Sequence, residues 1–416
     1  MELLKCAWRK VSHTRALEQS SGRLESLFFE SVYRVTYITG LSSSDRTIIY
    51  LVYSISVKLM ILLLVCGEVW YSISETSSLD EIAAGINATL IQFIAIYRYK
   101  NMIDHKDMYK RFATSMESPH FDTSTDKRKK LVVFWAERNE KYLKLLLALG
   151  NCTLAAWFLY PLVDELDYNL IVGVHLPFEY KTPSRYPLAY ITVVIAFIYV
   201  SYFVMVTDLI MQAHLLHLLC QFNVLADCFE NMLNDCVKGF EGIPLLRLLK
   251  NKQFTTKYTK RLGNLVEQHN RILNNTISLR DTLSYPMLGQ LAASGTLICF
   301  IGYQATTTVT VSLVKCLMSL LFLCYNVFEL YIICLWSEEI TIQGCSIGEA
   351  IYCSGWECGL ATLPGVRSTI LLVIARANKP LVLTAGGMYK LSLIAYTTLV
   401  KTSYSALTVL LRFRHD

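Results

Sequence analysis

The sequence has little charge. Asp, Glu, Lys and Arg make up 17% of its 416 residues, whereas a soluble domain carries about 25%. That shortage argues against a disordered chain and against a water-soluble enzyme. Nine prolines and nineteen glycines without periodic spacing exclude collagen-like and low-complexity classes, and thirteen cysteines are too dilute for a disulfide scaffold. There is no glycine-rich phosphate loop, no His-Glu-x-x-His and no Gly-x-Ser-x-Gly, so no catalytic residue is assigned and no cofactor is expected. Cys345, Cys353 and Cys358 lack zinc-finger spacing and a nearby His, which leaves them as structural thiols and predicts no metal. A net charge of +6 is modest and clustered, and it does not point to nucleic acid. What the chain has is apolar surface: 53% hydrophobic residues, 12% aromatics and a mean hydropathy of +0.38.

A spanning helix needs about 20 mostly apolar residues. Windows of that kind fall at 48–70, 82–97, 142–163, 187–211, 284–304, 309–336 and 381–411. The second is the weakest, being short and holding Asn87 and Gln92. The expected fold is an all-α membrane protein with seven transmembrane helices. Its expected divisions are a segment at 1–46, a membrane domain at 47–411 and a tail at 412–416. No signal-peptide core stands in 1–40. Thirty Lys and Arg fall in 1–46, 98–141, 213–282 and 337–380, against four in the alternate loops and the tail. The positive-inside rule then predicts a cytoplasmic N-terminus and an extracellular C-terminus. That orientation, with no Asp-Arg-Tyr after the third span and no Asn-Pro-x-x-Tyr in the seventh, argues against a G-protein-coupled receptor. Three Asn-x-Thr sequons, at Asn87, Asn151 and Asn274, fall in spans or in the cytoplasmic loop, where glycosylation is not expected.

The long cytoplasmic loop (212–283) carries two amphipathic stripes. Leu215, Leu218, Leu219, Phe222, Leu225, Phe229 and Met232 form one, and Leu262, Leu265, Val266, His269, Ile272, Leu273 and Thr276 the other. They predict helices that prolong spans four and five and pack on each other. With the connection at 337–380 they would form an anchor beneath the membrane, serving either subunit contact or packing within one chain.

Polar groups in spans must find partners or line a cavity. Asn87 of span two and Asn151 and Thr153 of span three are such groups. Near them come Trp157 and Tyr160 on span three, Tyr190, Val194 and Phe197 on span four, Tyr303 on span five and Ser312 on span six. With Ile91 of span two, they form a candidate pocket for a small uncharged ligand. In the last window, Thr398, Lys401, Thr402, Ser405, Thr408 and Arg412 recur at three- and four-residue steps, while Ile394, Leu399, Ala406 and Leu410 are read off that face. A polar stripe on a spanning helix is expensive unless it meets water or protein. A pore between several copies would wet it. Glu329 in span six is the expected partner of Lys401.

The run KTSYSALTVLL at 401–411 resembles the closing signature of insect odorant receptors, and EQHNRIL at 267–273 resembles that family's cytoplasmic helix before span five. Length and topology are similar over essentially the whole chain. The resemblance implies a ligand-gated, non-selective cation channel subunit in the plasma membrane of olfactory sensory neurons. It further implies a heterotetramer with the odorant receptor co-receptor around a pore lined by the last helix. Its ligands would be volatile, apolar odorants, and its other partners membrane lipid and permeating cations. By the same resemblance Trp157, Thr153 and Gly150 fall in the odorant pocket, Val409 on the apolar gate and Phe413 on the next turn. A gustatory-receptor-like subunit is the alternative, though its Thr-Tyr…Gln-Phe motif is not found in the last helix. A transporter is less favoured, because the two halves show no inverted repeat.

Overall fold

The computed structural model describes residues 12–18, 20, 22–74, 79–163, 168–309 and 312–415. Among these, ten helices exceed two turns: α1 (Arg23–Ile38), α2 (Ile48–Ser74), α3 (Leu79–Asp104), α4 (Lys106–Ala113), α5 (Asp126–Val163), α6 (Tyr186–Glu230), α7 (Lys252–Thr308), α8 (Leu313–Tyr352), α9 (Val366–Ala377) and α10 (Leu393–His415). The protein is all-α, its only described sheet being a two-strand hairpin, β1 (Thr384–Ala385) with β2 (Tyr389–Lys390).

Five helices (α2, α5, α6, α7 and α8) are long and apolar enough to cross a membrane. At 26 and 23 residues, α3 and α10 match the roughly 20 residues a bilayer needs, but both are more polar. On α2, Val57, Ile61 and Leu64 face the protein, while Ile49, Val52, Ile55, Leu59, Leu62 and Leu63 are exposed. Leaving one such side chain in water forfeits about 1.5–3 kcal/mol; against lipid that loss disappears.

The helices outrun the bilayer. With 57 residues, α7 is about 85 Å long at 1.5 Å per residue, against a hydrocarbon core of about 30 Å. Its start is fixed by Asn251, whose side chain accepts from the backbone N–H groups of Gln253 (2.9 Å) and Phe254 (3.4 Å), and α6 starts with a proline in its first turn. The extensions of α6, α7 and α8 pack into a bundle where Phe222, Phe229, Leu262, Leu265, Trp336 and Ile340 are buried. Both amphipathic stripes are therefore consumed inside the chain, and a contact between subunits has to use other faces.

A charged staple closes this bundle. Arg128, at 0% exposure, donates Nε to Asp227 (2.8 Å), Nη1 to Asp122 (2.7 Å) and Nη2 to Asp235 (2.5 Å). Arg261 of α7 also donates to Asp122. A buried guanidinium is tolerable only when its donors are met this way, so residues counted above as loop charge tie α5, α6 and α7 together. Burial alone would raise the Asp122 carboxyl, but hydrogen bonds from Ser124 and the nearby Arg261 and Arg128 lower it to about 2.

The seventh window begins too early in the sequence reading. Residues 381–392 are not helical: they hold the hairpin, whose turn needs positive φ at both Gly386 (62°) and Gly387 (71°). The N–H of Gly386 donates to the Ser284 carbonyl (2.8 Å) and that of Gly387 to the Ser284 hydroxyl (3.1 Å). This clasp sets α10 beside α7.

Candidate functional site

A cavity of about 70 Å³ lies between α3, α5, α6 and α8. Four helices supply its walls: Ile91 and Gln92 from α3, Gly150, Thr153 and Trp157 from α5, Phe197 to Met205 along α6, and Phe322 and Tyr325 from α8. The Trp157 ring stacks on Phe197 (centroids 5.2 Å, 29°) and meets Phe322 edge-on (6.1 Å, 86°). These geometries suit aromatic quadrupoles. Gly150 gives the Met205 sulfur its space, since a Cβ at 150 would collide with it. The volume is well under the roughly 300 Å³ at which ligand pockets begin, so a ligand would need the flexible Met205 to move.

Of the expected pocket residues, Ile91, Gly150, Thr153, Trp157 and Phe197 are brought together here. Tyr190 and Val194 lie earlier on α6 and do not line it; the Tyr190 hydroxyl donates to the Phe158 carbonyl (3.2 Å). Tyr303 is buried on α7, outside this lining. The Ser312 hydroxyl caps α8, accepting from the Lys315 N–H (3.4 Å), so its polar atom serves the helix start. Asn151 accepts from the Tyr202 hydroxyl (2.8 Å) and leaves the cavity. The side chains of Asn87, Tyr160 and Phe413 lie outside those described. Gln92, Ser201, Met205 and Tyr325 were missed. The signal for Gln92 was present as a polar residue in an apolar window, and its amide oxygen is buried beside the cavity without a hydrogen-bond partner among the described residues.

Beneath the cavity lies a buried ion network. Arg98, 3% exposed, donates Nη1 to Gln290 (2.8 Å) and Glu329 (3.1 Å) and Nη2 to Thr207 (2.7 Å), and it pairs with Asp208. Tyr325 donates its hydroxyl to Asp208 (2.8 Å), joining cavity wall to network. This corrects the expected Glu329–Lys401 pair: Lys401 is exposed, and the partner of Glu329 is Arg98, which window-reading had assigned to a loop.

One side of α10 packs on α7. Leu399 lies against Gly295, whose added Cβ would stand 3.1 Å from the leucine Cδ1, and Leu407 against Gly302 (2.9 Å). Ser403 is buried in the same seam. The opposite side carries Thr398, Lys401, Thr402 and Ser405, all exposed, with Thr408 half-buried and Val409 50% exposed. Ile394, at 74% exposure, and Ala406, also exposed, fall on this outward side too, contrary to the expectation from the sequence. The hydroxyls are satisfied by backbone, Thr402 donating to the Thr398 carbonyl (2.9 Å) and Ser405 to that of Lys401 (3.1 Å). They remain able to accept from water.

A family model described as the 7tm odorant receptor matches residues 78–404. Odorant receptor 13a of Drosophila melanogaster is 21% identical over 98% of this chain and 94% of its own length. Odorant receptor Or2 of Anopheles gambiae is 25% identical over 36% of the chain and 39% of its own. Among solved structures, the olfactory receptor OR5 of Machilis hrabei in complex with eugenol superposes with a TM-score of 0.78 at 17% identity, covering 94% of this chain and 100% of that one. The same receptor in a second structure gives 0.76 at 18%, covering 93% and 98%. The match to the family model spans most of the sequence, and the chain belongs to the insect odorant receptor family, a family of multi-pass membrane receptors and not of enzymes.

Proposed function

We propose that this chain is the odorant-binding subunit of a ligand-gated, non-selective cation channel. In this reading seven helices (α2, α3, α5, α6, α7, α8 and α10) cross the plasma membrane of an olfactory sensory neuron, with the N-terminus in the cytoplasm. Co-receptor subunits complete a heterotetramer. The observation that carries the reading is the two-sidedness of α10: Leu399, Ser403 and Leu407 fill a groove on α7, while its hydroxyl-bearing side is left uncovered by the described residues. Copies arranged around an axis would turn those hydroxyls to a shared water column, with Val409 as an apolar constriction.

The ligand would enter the α3–α5–α6–α8 cavity as Met205 swings away and stack on Trp157. The lone acceptor of Gln92 favours a neutral molecule with one hydroxyl donor. Binding opens the pore only through tighter affinity for the open state, and the Tyr325–Asp208–Arg98–Glu329 chain offers a packed route from cavity to the helices that hold α10. The test is co-expression with the co-receptor, a panel of volatile alcohols, phenols, esters and terpenoids, and current recording. Trp157→Ala should shift the dose–response curve of the best agonist and leave ion selectivity unchanged. An unmoved curve removes the pocket assignment.

A further inference from the structure

A second cavity, of about 470 Å³, lies among α1, the segment between α1 and α2, the end of α3 and the start of α4. It is several times larger than the one around Trp157 and within the roughly 300–1,000 Å³ of ligand sites. Its position is set by sequence: Arg46 stands two residues before Ile48, where the lipid-facing row Ile48, Ile49 and Val52 of α2 begins. Its rim therefore lies level with the polar edge of the bilayer on the side that carries the chain's excess of Lys and Arg.

The wall is cationic. Arg15, Arg46, Lys106 and Lys110 line it, all exposed, against the carboxylates of Glu25 and Asp107. Glu25 is already engaged, accepting the Tyr33 hydroxyl (2.9 Å). Ser43 and Ser44 add hydroxyl donors. Deeper in, the Tyr109 ring lines the cavity and meets His214 edge-on (centroids 4.9 Å, 79°). Cations at the rim with serine hydroxyls beside them describe the complement of a phosphate-bearing group.

We propose that this cavity is a binding site for a phosphorylated anion, an inositol-phosphate type of polyanion, held by Arg15, Arg46, Lys106 and Lys110. The shared chemistry is that of a phosphoinositide headgroup and of a free inositol phosphate. The inference is independent of odorant gating, because its readout is binding.

The experiment uses the full-length chain in detergent micelles, titrated separately with dioctanoyl phosphatidylinositol 4,5-bisphosphate and with soluble inositol 1,4,5-trisphosphate. Each Lys or Arg near such a headgroup contributes on the order of fivefold in affinity, so Arg46→Gln with Lys106→Gln should weaken binding roughly 25-fold. Lys401→Gln, an exposed cation elsewhere, should leave it unchanged. Equal binding of both probes assigns a soluble metabolite, and binding of the lipid alone assigns the inner leaflet; either outcome supports the site. Absence of binding by both probes, or binding as sensitive to Lys401→Gln as to the Arg46/Lys106 pair, overturns it.

Discussion

Replacing Arg98 by Leu would remove the one guanidinium that two buried carboxylates share. The lost bonds are those to Gln290 (2.8 Å), Glu329 (3.1 Å) and Thr207 (2.7 Å) and the ion pair with Asp208. Breaking a buried pair by removing one partner costs about 3–5 kcal/mol. Because Tyr325 still donates to Asp208, the lower half of that range is expected, about 3–4 kcal/mol, or a few-hundred-fold in the unfolding equilibrium. The assay is the SDS unfolding curve of the purified chain in mixed micelles. The control is the triple variant Arg98→Leu, Asp208→Asn, Glu329→Gln, in which no charge is left unpaired. It should recover most of the loss, since uncharged groups of similar shape replace a buried ionic cluster at little cost. If the single variant unfolds like the parent, or the triple variant is as weak as the single, the network is not what holds these helices together.

Four further outcomes are expected. Trp157→Ala removes a stacked and an edge-on ring contact, together about 1–2 kcal/mol, and should raise the half-maximal agonist concentration on the order of tenfold at unchanged reversal potential. Gly150→Ala, which drives Met205 into the cavity, should weaken responses, and adding Met205→Ala should restore them, read as a double-variant cycle of dose–response curves. Gly302→Val places a branched side chain where even a Cβ would stand 2.9 Å from Leu407; overpacking of about 1–3 kcal/mol should displace α10 and change basal current. Acid should loosen the bundle formed by the extensions of α6, α7 and α8 through Asp122. Its folded value of about 2 lies below the unfolded value of about 3.9, so its stabilisation is complete above pH 4 and lost as pH falls toward 2. Asp122→Asn should blunt that loss in a proteolysis assay of the loop.

Much of this architecture is legible in the residues, because period and length are local properties. The apolar windows all overlap helices, and the stripes from Leu215 to Met232 and from Leu262 to Thr276 lie on buried faces. Ile91, Gly150, Thr153, Trp157 and Phe197 converge on one cavity because one helix turn sets which of them share a face. Pairing across helices is a different matter. Arg98 sits at the edge of a window and reads as loop charge, yet its partners are 109 to 231 residues away. Lys401 and Glu329 are each an isolated charge in an apolar run, and no periodicity says whether they meet. Residues 381–392 are apolar enough to read as helix, and only the successive glycines at 386 and 387 announce the hairpin. Ser312 illustrates the last difficulty: a hydroxyl next to a helix start is claimed by the backbone before any ligand.

The central claim is that the hydroxyl side of α10 faces a conducting water column. Its most direct test is cysteine substitution along that helix in the co-expressed channel, one position at a time: Thr402→Cys, Ser405→Cys and Val409→Cys on the outward side, and Ser403→Cys in the α7 seam. Current is recorded before and after a cationic methanethiosulfonate reagent, during agonist application. The account predicts rapid, irreversible loss of current at the outward positions, protection there by closing the channel, and none at Ser403, which behaves like the parent. Equal insensitivity at all four positions, or modification confined to Ser403, would contradict it.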